Sequence, residues 1–363
     1  MNSHLNDRRR KPLNVAIVGC GYISEAHLEA WRNVDANIVA VCDKDVSIAK
    51  SKANKWRIPR FYEDVSKMVE AEDLDVVSVC TPANVRLSVV RPIVEAAVHV
   101  VIEKPFAMSV KEAKEMVDLK DKYGIKLTVV HNWLFSHMMK RTLNYLRNGW
   151  VGDIASVEIS MYHTKKDPMA ADSSHWCHQI QAGRFGENLP HPLYIIRAIL
   201  GDVNIRYIHG SKLGNYPWMP IDELQVILED MEGRTATIYI SFNASRPETI
   251  LNIVGEKGVL YTNLASFLIK KRYREVVSTI QFAMDNLKTI SDIMVSSFSI
   301  ASAILRRRYK GMHIEFMKEF AKSIMNGTEP PVTAEEALKV VELHTDLCSK
   351  IHELYFEKHA RAL

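Results

Sequence analysis

Residues 13–19 read LNVAIVG, residues 19–24 read GCGYIS, and residues 23–34 read ISEAHLEAWRNV. An unbroken apolar run is what a strand carries when both faces of a parallel sheet are covered. The stretch after it has helical spacing. Two glycines therefore fall where a strand hands over to a helix. Gly19 permits the tight turn. Gly21 lets the backbone come close to an anion at the helix N-terminus, where unpaired N–H groups and the helix dipole favour negative charge. Ser24 replaces a third glycine and is small enough for close packing. The spacing predicts a cradle for a dinucleotide pyrophosphate.

The same alternation continues outward. NIVAVCD (Asn37–Asp43) reads as a strand and Val46–Trp56 as a helix, with a short helix near Asp64–Glu70. Strands at Asp75–Pro82, His99–Pro105 and Lys126–Asn132 are separated by helices at Leu87–Ala97 and Ser109–Tyr123. Alternating strands and helices imply right-handed crossovers and a doubly wound sheet. Asp43 ends the second strand, where an acidic residue is expected to hold the ribose hydroxyls. Its carboxylate favours NAD over NADP, because it would repel a 2′-phosphate. Lys44 and Lys52 partly offset that repulsion.

Beyond about Asn132 the pattern changes. A helix at Met138–Asn148 precedes alternating strands at 154–163, 222–233, 234–243 and 249–263, with hairpin turns at MEGR and GEKG. Such strands suit an open, mainly antiparallel sheet. Helices return at Gly311–Asn326 and Thr333–Glu357. The expected organisation is an α/β chain with a Rossmann domain over residues 1–132 and a second α/β domain, with a large mostly antiparallel sheet, over 133–363. The C-terminal helices are expected to pack back on the first domain.

With 363 residues, two domains are the natural division. A formal charge of +4 excludes nucleic acid as the main partner, because no basic stripe is concentrated in a domain. The cluster Arg8–Lys11 reads as a solvated tail. Five scattered cysteines, none in a CxxC pair, argue against a disulfide framework or a zinc site and for a reducing compartment. No secretory signal or long apolar span is present. A cytoplasmic protein with no metal is expected.

Lys104 stands between Glu103 and Pro105 at the end of an apolar strand, on the edge where ligands of open α/β sheets bind. A lysine there is not easily read as a solvated surface charge. The chain resembles the glucose–fructose oxidoreductase and inositol 2-dehydrogenase (Gfo/Idh/MocA) family over nearly its whole length. The resemblance rests on AIVGCGYIS, on TPANVR followed by HVVIEKP, on the Asn of VVHNWLF, and on GRFGENLPHPLYIIRAILGD (Gly183–Asp202). It implies an N-terminal Rossmann domain and a second domain used for oligomer contacts, so a homo-oligomer, dimer or tetramer, is expected.

The resemblance puts the family's catalytic lysine on Lys104 and its acid–His pair on Glu187 and His191. It also implies cofactor contacts from Gly19, Gly21, Tyr22, Ile23, Asp43, Thr81, Pro82, Asn84, Glu103 and Asn132. Substrate contacts are expected from Lys104, His191, His175 and Trp176. Oxidising an alcohol requires a proton acceptor as hydride leaves, which an imidazole titrating near about 6.5 supplies. A lysine ammonium stabilises alkoxide character. Glu187 would orient or tune His191.

Two positions depart from the family pattern. Glu187 replaces the usual Asp, and Arg86 replaces a common His. His131, His163 and His178 read more readily as structural residues, and Tyr194 reads as packing. The expected activity is hydride transfer to or from a hydroxyl or keto carbon of a sugar, sugar nucleotide or cyclitol, with substrate held between the domains. Reduction of a C=N or C=C bond, or a non-catalytic dinucleotide-binding regulator, are the alternatives.

One segment stands outside this reading. In Ile290–Lys310, Ile290, Met294, Phe298, Ala301 and Leu305 share a helical face opposite Asp292, Ser296, Ser299 and Arg306, and a basic run follows. A helix covering the second-domain sheet, or a subunit contact, is expected in preference to a helix lying on a membrane.

Overall fold

β1 (Leu13–Val18), β2 (Ala36–Cys42), β3 (Arg60–Tyr62), β4 (Val76–Val79), β5 (His99–Ile102) and β6 (Leu127–Val129) form one parallel sheet in the order β3-β2-β1-β4-β5-β6. Between them run α1 (Ser24–Arg32), α2 (Val46–Trp56), α3 (Val65–Ala71), α4 (Arg86–Glu95) and α5 (Val110–Tyr123). Val15, Ile17, Val76, Val77, Val79, Val100, Val101 and Ile102 are fully buried, as a sheet covered on both faces requires. The strand order reverses between β1 and β4. At such a switch point the crossovers leave to opposite faces, and a crevice opens beyond the carboxyl ends of the strands. Asp45, Asp64 and Ser109 cap α2, α3 and α5 by accepting backbone N–H bonds, which fixes where each helix starts.

The computed structural model describes residues 11–264, 268–273, 278–305 and 311–357. These divide into two compact units. One holds the residues up to Val130 together with His313–Leu338; the other holds His131–Met312 and the residues from Lys339 onward. The first unit is thus discontinuous. The returning segment is tied to it by Lys126 Nζ donating to Thr328 O (2.6 Å), Thr128 Oγ1 donating to Val332 O (2.6 Å), and the Lys120–Glu335 ion pair (2.5 Å).

The second unit is built on β7 (Ile154–Thr164), β8 (Asn204–Ser211), β9 (Glu223–Glu229), β10 (Thr235–Ala244), β11 (Glu248–Gly255), β12 (Gly258–Asn263) and β13 (Leu268–Tyr273). Their order is β13-β12-β11-β7-β10-β9-β8, and every neighbouring pair is antiparallel except β7 with β10. That parallel pair follows from the long excursion between the two strands, which a hairpin could not provide. The second unit's helices are α6 (His137–Arg147), α7 (Pro168–Ala171), α8 (Gly183–Asn188), α9 (Pro190–Leu200) and α10 (Thr279–Leu305); α11 (Met312–Asn326) falls in the returning segment of the first unit apart from Met312, and α12 (Ala334–Ile351) is divided between the two units at Leu338.

Alternation decides which sheet face is covered. Val157, Ile159, Met161, Leu224, Val226, Leu228, Ala236, Ile238, Ile240, Leu251 and Ile253 point inward and pack with Phe185, Leu189, Leu193 and Ile196 of α8 and α9 and the residue between them. Glu158 and Gln225 on the opposite face are exposed.

α9 contradicts the appearance of its own sequence. Pro190 and Pro192 suggest a loop, yet both lie in the first turn, where a missing N–H costs no helical bond. The apolar segment near 290–310 lies largely in α10, which packs along β13, but its apolar stripe does not cover the sheet. Ile290, Met294 and Phe298 are exposed while Ser296 is buried. On the side opposite that stripe, Thr289 and Asp292 are half-buried beside the buried Ser296. Arg306–Lys310 lie outside the described residues.

Candidate active site

The turn after β1 is built around Gly19, whose φ of +89° disfavours any side chain. A Cβ there would stand 2.8 Å from Cys80 C and Thr81 N, the backbone leaving β4. A Cβ on Gly21 would meet nothing within 4 Å, so that backbone is open to a ligand. Asp43 braces the turn: one carboxylate oxygen accepts from Cys20 N (2.8 Å) and the other from Asp45 N (3.0 Å). Tyr22 is exposed, and Ile23 occupies the cap of α1.

Lys52, expected to offset the charge of Asp43, reaches Gly21 O in the turn (3.5 Å), but its short bond is to another carboxylate. It donates to Glu25 (2.5 Å), which also receives Lys55 and Trp56. Burial raises the Glu25 carboxyl, but these donors outweigh it and bring it down to about 2. Thr81, Pro82 and Asn84 follow β4 at the switch point, with Asn84 in the short turn Ala83–Val85. The buried hydroxyl of Thr81 has no hydrogen-bond partner among the described residues. A close-approach glycine, an open one, an acidic side chain at the end of β2 and an orphaned buried hydroxyl fit a dinucleotide at this edge.

Lys104 follows β5, in a loop that is braced from beneath. Its backbone N–H donates to Glu103 Oε2 (3.0 Å). Glu103 Oε1 takes the ring nitrogens of His27 (2.9 Å) and His313 (3.1 Å). His27 Nδ1 meets Ser78 Oγ (2.6 Å), and Ser78 Oγ also accepts from Trp31 Nε1 (3.3 Å). The chain of donors assigns His27 its tautomer. Trp31 donates to Ser78, Ser78 to Nδ1, and Nε2–H to Glu103.

Burial of His27 lowers its pKa and keeps the ring neutral despite the carboxylate. Burial pushes Glu103 up, but the two imidazole bonds hold it well below the usual carboxylate range. His27, Glu103 and His313 also have the composition and closeness of a metal-ligand set. Here Glu103 Oε1 already lies within hydrogen-bond distance of both rings, so the cluster reads as a brace. Arg86, at the position of the family His, is buried and donates to the carbonyls of Glu103 (2.6 Å), Thr81 (2.5 Å) and Pro105. It ties the ends of β4 and β5 together. Burial lowers its pKa to about 10, so it stays charged near neutrality.

In the second unit His191 sits in the first turn of α9 and is 9% exposed. Its Nδ1 lies 2.8 Å from the hydroxyl of Tyr194. That hydroxyl also reaches Asn132 Oδ1 (3.3 Å) and accepts from Trp133 N (3.2 Å). Trp133 stacks on His191 at 4.4 Å, and His131 stacks on Tyr194 at 4.3 Å. Tyr194 therefore does more than pack: its hydroxyl grips the imidazole. The sequence reading missed this, as it missed His27 and His313.

Glu187 pairs with Arg184, three residues earlier in α8. Arg184 also reaches Asp167 (3.3 Å), which takes His163 Nδ1 (3.2 Å), while His163 Nε2 meets Asn188 (3.0 Å). Burial works against the Asp167 charge, yet His163 and Arg184 hold its pKa well below the usual range. Glu187 thus belongs to a partly buried ionic cluster around α8. His178 contacts Met169 O at 2.9 Å. His175 accepts from Cys177 N (3.3 Å) at the cap of a short turn, and Trp176 beside it is exposed.

Residues 13–131 match the family model described as an oxidoreductase family with an NAD-binding Rossmann fold, GFO_IDH_MocA, and residues 139–261 match the GFO/IDH/MocA C-terminal domain. The chain is 27% identical to a D-apiose dehydrogenase of Paraburkholderia graminis, over 90% of this chain and 84% of that protein. It is 22% identical to a myo-inositol 2-dehydrogenase of Thermotoga maritima, over 89% of this chain and 92% of that one. Among solved structures, the WlbA dehydrogenase of Bordetella pertussis in complex with NADH and UDP-GlcNAcA is similar with a TM-score of 0.76 at 20% identity, covering 95% of this chain and 96% of that chain.

Proposed function

The chain belongs to the Gfo/Idh/MocA oxidoreductase family, and from that premise we propose an NAD-dependent dehydrogenase of a sugar, sugar nucleotide or cyclitol. The observation that carries this reading is the His191–Tyr194–Asn132 network, an imidazole whose inner nitrogen is held by a hydroxyl with a second place to turn. Gly19, Gly21, Asp43 and Thr81 hold the cofactor, with the Asp43 carboxylate accepting from ribose hydroxyls. Commitment of Lys52 to Glu25 supports NAD over NADP, because the lysine nearest the turn is occupied. Bound NAD supplies the hydride acceptor.

In alcohol oxidation His191 Nδ1–H donates to the Tyr194 oxygen, and the Tyr194 O–H turns to Asn132 Oδ1. His191 then presents Nε2 as a base and takes the substrate hydroxyl proton. In ketone reduction the same steps run backwards: the imidazolium, its Nδ1–H still donating to the Tyr194 oxygen, gives its Nε2 proton to the substrate oxygen. Lys104 stabilises the developing alkoxide. Glu103, held by His27 and His313, fixes the backbone at Lys104. Glu187 is a positioning residue acting through Arg184, and His175 with Trp176 contact the substrate.

Two further expectations accompany this reading. Copies of the chain associate as a dimer or tetramer through the open sheet face, where Tyr162 and Tyr239 lie edge to face at 6.0 Å. The protein works in the cytoplasm, a compartment that suits its five buried, unbridged cysteines.

Lys104→Met and His191→Asn test the assignment. Each lowers kcat by about 10²–10⁴-fold, while the Kd for NAD, followed by fluorescence, stays within about threefold. Turnover near wild type in both variants contradicts it.

A further inference from the structure

We propose that α10 is a docking helix for an anionic lipid surface, lying on the bilayer with its apolar stripe in the boundary between headgroups and acyl chains. Ile280, Met284, Leu287, Met294 and Phe298 recur at helical spacing and therefore share one side. They are 73%, 63%, 67%, 55% and 71% exposed. Ser296, on the other side, is buried. A helix that serves only its own fold buries its apolar side, and this one presents it outward. At 1.5 Å per residue the 27 residues extend roughly 40 Å. Among the described residues no helix is long and apolar enough to cross a membrane, so the geometry is that of a helix in the plane of the surface.

Charge selects the occupant. Residues 268–310 carry nine Lys and Arg against three Asp and Glu, a formal +6, whereas the whole chain carries +4. The remainder is therefore net acidic, and in the sequence the positive charge is concentrated in the stretch that contains this helix. Lys270, Lys271 and Arg272 precede it on β13, and the sequence places Arg306, Arg307, Arg308 and Lys310 after it. An anionic bilayer gains from both the apolar stripe and the charge. A second copy apposed through the same helix would set +6 against +6.

The test is co-sedimentation of the full chain with vesicles of phosphatidylcholine alone or mixed with phosphatidylglycerol. Binding is expected to the mixed vesicles, to weaken with added salt, and to be about tenfold lower on phosphatidylcholine alone. The triple variant L287S/M294S/F298S, checked for an unchanged melting temperature, should lose about tenfold in binding to the mixed vesicles. Wild type that stays in the supernatant with both vesicles, or binds both equally, overturns the proposal without recourse to the variant. So does a triple variant that binds like wild type, or one that loses only its oligomeric mass by light scattering, which would make the occupant a second copy.

Discussion

At the scale of single residues, the groups we propose to carry the chemistry were easier to find than the groups holding them. His191 is picked out by the family resemblance of GRFGENLPHPLY, while Lys104 stands out because a charged side chain next to a proline, at the end of an apolar run, has no simple packing reason to be there. Tyr194 does not, because a tyrosine in an apolar helix is usually packing, and its second partner, Asn132, is 62 residues away. Tyr194→Phe removes the hydroxyl and leaves the ring in place. It should lower kcat by about tenfold or more and displace the limb of the pH–rate profile that reports His191, with little change in KM. A profile that coincides with wild type would leave Tyr194 a packing residue. His27 was equally hidden, since Ser78, Glu103 and His313 lie 51, 76 and 210 residues from their partners in this network. Its burial lowers its pKa, so the unfolded chain gains a proton below about pH 6.5 that the folded chain refuses, and stability falls as pH falls. The contribution reaches about 1.4 kcal/mol per pH unit. Glu103 is also depressed, but its contribution is lost only below about pH 4.3, where the unfolded carboxyl titrates. Calorimetry between pH 7 and 5 should show a shallower loss of melting temperature in His27→Gln than in wild type. Equal slopes would show that His27 is not the group responsible.

At the scale of elements, periodicity placed the strands and helices of the first unit to within a few residues, because each is bounded by a cap, a glycine or a proline. It failed where an element is too short or too polar to show a period. β3 has three residues, and β8, NIRYIHGS, alternates weakly with no fully buried position. α9 was obscured by prolines that the first helical turn tolerates. The amphipathic period of α10 was legible, but not which side would be buried, because a period does not say what the helix packs against. The turn after β1 makes the sharpest prediction at this level. Gly19→Ala forces a Cβ into the backbone leaving β4 and a left-handed φ on alanine, a strain of about 1–3 kcal/mol. Thermal denaturation should show that loss in the free protein. Saturating NAD, which raises wild-type stability by about 2.7 kcal/mol at a hundred times Kd, should raise the variant far less. An unchanged response to NAD would separate the turn from cofactor binding.

At the scale of the whole molecule, the change from alternating strands and helices to successive strands near residue 132 marked the change of architecture. The return of His313–Leu338 to the first unit was foreseen only as a general tendency of the C-terminal helices, because its ties, Lys126 to Thr328 and Thr128 to Val332, span some 200 residues. Substrate identity was not legible, since no residue pattern in the sequence reads one polyhydroxylated molecule against another. The central claim concerns where a hydride goes. The protein, incubated with NAD and polyols, cyclitols or sugar nucleotides deuterated at their carbinol carbons, is followed by mass spectrometry of the cofactor. The account predicts deuterium in reduced cofactor with at least one of these alcohols, and loss of that label in both Lys104→Met and His191→Asn. Cofactor that binds yet remains oxidised and unlabelled with every alcohol would contradict it.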